Sequence, residues 1–88
     1  MNKREEALWV IDVDRRLMSL RAFGKSSILH PSDISRESGR SVQNISHGLH
    51  ELEDRGLVEC IDEKSTWKKY IITERGKRVL EEVGRIMG

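Results

Sequence analysis

Apolar positions recur at helical spacing along most of this chain, interrupted by glycines and a single proline. Over residues 5–23, Leu8, Ile11, Val13, Leu17, Met18 and Leu20 keep that period and predict a first helix, ended by Gly24. Its apolar stripe is wide, with Val10, Val13, Leu17 and Leu20 forming a seam spaced three, four and three. The short apolar pair Ile28-Leu29 follows. Pro31 then suits a first helical turn, and Asp33 complements the positive helix start. A short second helix is predicted over 31–38, anchored by Ile34 and stopped at Gly39.

Ser41 is a good N-cap for a third helix over 41–55. Val42, Ile45, Leu49 and Leu52 share one stripe, predicted to face the core, and Gln43, His47, His50 and Asp54 fall opposite. Gly56 closes it as a left-handed cap. Two β-like runs, 57–61 and 68–72, then flank a polar loop and read as a hairpin over 57–72. A lone hairpin is marginal in water, so this one must lie against the helices. Thr73 caps a last helix over 74–87, with Val79, Val83 and Ile86 on one stripe and Leu80 and Met87 beside it. The predicted fold is mostly α with a small β-hairpin, in the order α-(β)-α-α-β-β-α. That is a helix-turn-helix followed by a wing, in one domain spanning 1–88.

Composition narrows the function. A chain of 88 residues has room for one small domain, which excludes enzymes built on a large sheet with a deep cleft. At 36% hydrophobic and 35% charged residues it is too apolar for a disordered chain and too polar for a membrane protein. No run approaches the ~18–20 apolar residues of a membrane span, and MNKREEALW has no uninterrupted signal core. The expectation is a soluble, cytoplasmic protein. Lone Cys60 cannot form an internal disulfide and, in the strand-like run LVECID, reads as a packing thiol. His47 and His50 stand three apart, but no cysteine or carboxylate clearly completes a set with them or with His30. There is no glycine-rich phosphate loop, and acids mix with bases on solvated faces. No metal, cofactor or catalytic residue is expected. The net charge of +1, from 16 Lys+Arg against 15 Asp+Glu, neither demands nor excludes a nucleic-acid partner. The local distribution of charge decides.

The segment Pro31-Ser32-Asp33-Ile34-Ser35, continued by Ile45-Ser46, Leu49 and Leu52-Glu53-Asp54-Arg55-Gly56-Leu57-Val58, resembles the winged-helix regulators of bacteria and archaea. The likeness is to the MarR, PadR and ArsR-type groups. Ile71-Ile72-Thr73-Glu74-Arg75-Gly76 is similar to their leucine-threonine-x-x-glycine entry into the final helix. The resemblance covers about residues 15–85 and implies a DNA-binding regulator of transcription. Three departures stand out. Gly48 replaces a bulkier residue of the recognition helix, His30 stands where a capping Thr or Ser is usual, and long extra dimerisation helices are missing.

In such a fold the third helix enters the major groove of double-stranded DNA, where N-terminal side chains reach base edges. Gln43 and Asn44 are suited to adenine, and Ser41 and His47 can donate to guanine or phosphate. This face carries neutral hydrogen-bonding groups, unlike the Glu/Lys mixture of an idle helix. Ser32, Arg36, Arg40, Ser46 and His50 surround the helix start as candidate phosphate contacts. Between Arg36 and His50 only Glu37 is acidic, whereas Glu51, Glu53 and Asp54 gather beyond. On the wing, Lys64, Ser65, Thr66, Lys68 and Lys69 form a basic and hydroxyl cluster, diluted by Asp62 and Glu63. Trp67 reads as packing at the wing's base.

The stripes of the first and last helices exceed the needs of a thin core. Leu8, Trp9, Ile11, Val83, Ile86 and Met87 are therefore candidates for a homodimer interface. A rival class is a winged-helix module that docks another protein in transcription or replication machinery, favoured by the near-neutral charge and the acidic run Glu51, Glu53, Asp54. RNA binding ranks last, because the only stacking aromatics are Trp9, Phe23, Trp67 and Tyr70.

Overall fold

The predicted first helix is two helices. In the computed structural model, which describes residues 1–62 and 68–88, α1 (Lys3–Ile11) and α2 (Asp14–Arg21) meet at a bend. Asp12 remains helical there, whereas Val13 turns extended with φ −127° and ψ 122°. No glycine or proline marks the break. Its cause is tertiary: α1 packs along α5 (Glu74–Met87), while α2 crosses α4 (Val42–Asp54). The wide stripe seen in the sequence therefore serves two different neighbours. Val10, Leu17 and Leu20 are buried, but Val13, at the bend, is only half-buried.

The remaining elements follow the predicted order. A 3-10 turn (Ala22–Gly24) ends α2, and β1 (Ile28–Leu29) leads into α3 (Pro31–Ser38). Gly39 and Gly56, both at φ +74°, end α3 and α4 in the left-handed conformation. After α4 come β2 (Val58–Cys60) and β3 (Tyr70–Ile72), shorter than the predicted runs. The ladder continues one step beyond β2, where the Ile61 N–H donates to the Lys69 carbonyl at 2.9 Å. β1 joins as a third strand, in the order β1-β3-β2, with every pair antiparallel. Leu29 and Cys60 both face Tyr70 across the central strand. Among the described residues no helix is long and apolar enough to cross a membrane.

The core runs from Ala7 and Val10 through Leu20, Ile34, Ile45, Leu49 and Leu52 to Tyr70, Val79 and Val83. Two glycines let the elements approach closely. A β-carbon on Gly48 would lie 2.5 Å from the Arg15 carbonyl oxygen, so α2 and α4 meet backbone to side-chain-free backbone. The bulkier residue usual at this place has no room here, because Gly48 faces α2. A β-carbon on Gly76 would fall on the Leu57 carbonyl oxygen. That same carbonyl accepts the Thr73 N–H and hydroxyl, both at 3.1 Å, while the Thr73 Oγ1 caps the Gly76 N–H at 3.0 Å. The Thr-x-x-Gly entry into α5 is thus the lock that seats the last helix on the start of β2.

Charged groups complete the frame. Glu6, 1% exposed, accepts from Arg75 of α5 at 2.8 Å and from Arg55, the C-cap of α4, at 3.4 Å. The Arg55 and Arg16 guanidinium carbons lie 4.2 and 4.1 Å from the centre of the Trp9 ring. Glu51 of α4 accepts from Arg15 at 2.6 Å and from Arg16 at 2.8 Å. The hydrogen bond from Arg15 holds the Glu51 carboxyl down at about 2, helped by Arg16 and opposed by partial burial. Buried ion pairs of this kind cost desolvation, and losing one partner leaves the other charge stranded.

Two tests follow from these contacts. Helix propensity alone would make Gly48→Ala stabilising by about 1 kcal/mol. The Arg15 carbonyl reverses the sign, and we expect a net loss of about 1–3 kcal/mol by urea unfolding. A neutral or stabilising result would show that α2 yields freely. For Glu51, the Arg15 hydrogen bond lowers the folded carboxyl from an ordinary 4.5 to about 2. Its contribution, on the order of 3 kcal/mol, is therefore complete above the ordinary value and is lost as pH falls from there through the folded one. The stability difference between the native protein and Glu51→Gln should shrink over that acid window in denaturant titrations. A difference constant with pH would contradict the clamp.

Candidate nucleic-acid interface

The local sequence builds a turn that presents the start of α4. The imidazole Nδ1 of His30, at the N-cap of α3, donates to the Lys68 carbonyl at 3.0 Å, and its backbone N–H donates to Asp33 at 3.2 Å. The beginning of α3 is thereby fixed both to its own first turn and to the base of the wing. Beyond Gly39, the Arg40 N–H donates to the Ser38 hydroxyl at 3.2 Å. Ser41 then caps α4, accepting the Asn44 N–H at 3.1 Å. His30 holds the N-cap in an extended conformation, and its backbone carbonyl accepts the Asp33 N–H at 3.0 Å.

Ser41, Gln43, Asn44, His47 and His50 are all exposed, and Ser46 is half-buried. Gln43, His47 and His50 share the outward face with Asp54, as their spacing predicts. Val42 departs from expectation. It was assigned to the core stripe, yet it is 47% exposed and stands apart from the core cluster. As first residue of the helix it lies at the end of the stripe. Only Ile45, Leu49 and Leu52 of that set are buried.

The candidate phosphate contacts divide into two groups. Ser32 is half-buried, and Arg36 and Arg40 are exposed but already paired. Arg36 donates to Asp33 at 2.8 Å within α3. Arg40 grips Asp14 of α2 with two hydrogen bonds of 2.8 and 2.9 Å and also donates to the Ser38 carbonyl at 2.8 Å. Nothing in the local sequence announces this pair, whose members stand 26 positions apart. On the wing, Lys68 and Lys69 are exposed. Lys64, Ser65, Thr66 and Trp67 lie outside the described residues.

The acidic run beyond His50 is largely engaged. Glu51 is held by two arginines, and Glu53 accepts the Cys60 N–H at 3.4 Å. The outward surface of α4 thus carries neutral hydrogen-bonding groups at its N-terminal half, while two of the three acids turn inward at the other. Of the candidate dimer residues, Leu8 and Met87 are exposed and Ile11 and Ile86 are half-buried. Val83 is 1% exposed, a core residue of its own chain, because its stripe on α5 faces α1 and α2. Trp9 is half-covered by Arg16 and Arg55. Among the described residues no three His, Cys, Asp or Glu side chains gather to hold a metal.

This architecture has relatives. A model of winged helix-turn-helix phage repressors matches residues 1–85. The crystal structure of the AntR antimony-specific transcriptional repressor is similar at a TM-score of 0.73 and 27% sequence identity. The match covers 92% of this chain and 72% of that one. No curated protein matches.

The Arg40–Asp14 pair makes a specific demand: a phosphate can reach Arg40 fully only by displacing or sharing Asp14. Exposed pairs of this kind contribute little stability. Asp14→Asn should therefore raise affinity for random-sequence duplex about two- to fivefold, and Arg40→Ala should lower it, both read by fluorescence anisotropy. No gain in Asp14→Asn, with its helical signal intact by circular dichroism, would remove Arg40 from the interface.

Proposed function

The chain belongs to the winged helix-turn-helix phage repressor family and is a DNA-binding transcription regulator; from that premise we propose how it engages DNA. α4 enters the major groove by its N-terminal half, with Gln43, Asn44, His47 and Ser41 at base edges. Ser32, Arg36, Arg40, Ser46 and His50 contact phosphates around the helix start. The wing flanks it through Lys68 and Lys69, together with Lys64, Ser65 and Thr66. The observation that carries this reading is the charge pattern of α4, where neutral donors and acceptors stay exposed and Glu51 and Glu53 are bound internally. The acidic run that favoured a protein-docking module is largely withdrawn from the surface by the same contacts.

Sequence-specific regulators of this shape read two half-sites about one DNA turn, roughly 34 Å, apart. The proposal extends to a homodimer formed through α1 and α5, with Leu8, Ile11, Ile86 and Met87 at its centre; Trp9 and Val83 support that face from beneath. It also includes action in the cytoplasm, by occupancy of an operator. The resemblance to MarR, PadR and ArsR-type regulators enters this proposal only as a likeness of architecture. The antimony response belongs to the similar repressor. Here the single cysteine, Cys60, sits half-buried in β2.

The test is a titration of preferred and random duplexes at several salt concentrations, with sedimentation of free protein. DNA binding of this mode gives a steep negative salt slope and a dimeric mass. Gln43→Ala should cost about 1–3 kcal/mol on the preferred duplex and almost nothing on random DNA. Equal losses on both would overturn base reading by Gln43.

A further inference from the structure

We infer that Val42 reads the 5-methyl group of a thymine in the major groove; this rests on the proposed entry of α4 by its N-terminal half. The major-groove edge of each base pair offers hydrogen-bonding atoms and, at thymine, one apolar group. Gln43, Asn44 and His47 supply the polar half of a reading surface. An apolar half needs an exposed aliphatic side chain on the first turn of the same helix. Val42 is that side chain: it opens α4 directly after the Ser41 cap and is 47% exposed. Between residues 31 and 54 it is the one large apolar side chain exposed to solvent.

Isolated exposed apolar residues are ordinary on protein surfaces, so exposure alone would carry nothing. Three further features bear on this one. Val42 belongs to no part of the core cluster, so packing does not account for it. A β-branched residue at a helix start gains nothing in helix propensity over the polar residues around it. Its side chain is stiff at χ1 in a helix, so its methyl groups are already oriented and lose little freedom on contact. Along α4, Val42, Ser46 and Glu53 share a stripe, and Glu53 is anchored to β2 through the Cys60 N–H. Val42 therefore sits on the wing-side flank of the reading face, with Gln43 beside it on the outward side. The thymine it contacts belongs next to the base pair that Gln43 reads.

The experiment uses the full chain. A preferred duplex is selected by the native protein from a randomised library, and each thymine is then replaced in turn by deoxyuridine, which removes only the methyl group. We expect one thymine per half-site whose replacement weakens native binding about fourfold, the effect of losing one buried methyl. Val42→Ala should bind the thymine and uracil forms of that site equally, while keeping the native affinity for random duplex. Val42→Thr, nearly the same shape, checks that a loss does not arise from misfolding. The inference is overturned if no thymine replacement weakens native binding, or if the native protein and Val42→Ala show the same uracil sensitivity at every position. Either result with a clear preferred sequence in hand leaves the proposed mode of DNA engagement standing. Failure to select any sequence would overturn both.

Discussion

The crossing of α2 and α4 is the contact on which the presentation of the reading face depends. At Gly48 the absent side chain lets the Arg15 carbonyl approach the recognition helix. Three residues later, Glu51 draws the Arg15 and Arg16 guanidinium groups onto the same helix. Steric fit and charge thus act on one face of α4, and both fix its distance and rotation relative to α2. Rotation matters more than distance for reading DNA. At ~100° per residue, turning α4 by one position would exchange Gln43 and His47, the proposed base readers, for neighbours at the flanks of the helix.

That crossing belongs to a longer chain of contacts. Arg16 reaches from Glu51 to the Trp9 ring and also donates to the Trp9 carbonyl at 3.1 Å. Arg55, at the far end of α4, lies over the same ring and touches Glu6, which Arg75 ties to α5. α1, α2, α4 and α5 are joined through five charged side chains and one indole. In a thin core such groups do part of what apolar volume does in a larger domain. They also make the fold sensitive to single losses, since each carboxylate is shared between two arginines and its removal breaks both ion pairs at once.

Much of this was legible in the sequence, because local signals and tertiary demands agree there. Pro31 and Gly39 bound α3 where their backbone preferences place them, and Thr73 opens α5 as a cap should. The helix-turn-helix-plus-wing order needed only periodicity and glycine punctuation. What escaped was set by partners remote in sequence. The bend at Asp12–Val13 carries no breaker and exists because α1 and α2 answer to different helices. Gly48 stood out in the sequence only as the absence of a bulkier residue, whereas it is the place where another backbone passes. Val42 shares the period of the core stripe, but periodicity cannot tell the buried interior of a stripe from its exposed end. Arg40 looked free for phosphate because Asp14 is invisible from its own segment.

The internal use of charge bears on how such a protein would hold DNA. Sixteen basic residues suggest ample cation for phosphate, yet Arg15, Arg16, Arg55 and Arg75 are bound to Glu51 and Glu6 within the fold. Arg36 and Arg40 reach the helix-turn-helix surface already paired with Asp33 and Asp14. Lys68 and Lys69 at the base of the wing are exposed and form no ion pair among the described residues. Non-specific binding grows with the number of phosphates neutralised, and a chain that spends its arginines inside has few to offer. Under the proposed mode of binding, affinity then rests on the base contacts proposed for α4 and on the proposed pairing of two chains. Both favour discrimination over strength: phosphate charge is the same at every sequence, whereas base edges and half-site spacing are not.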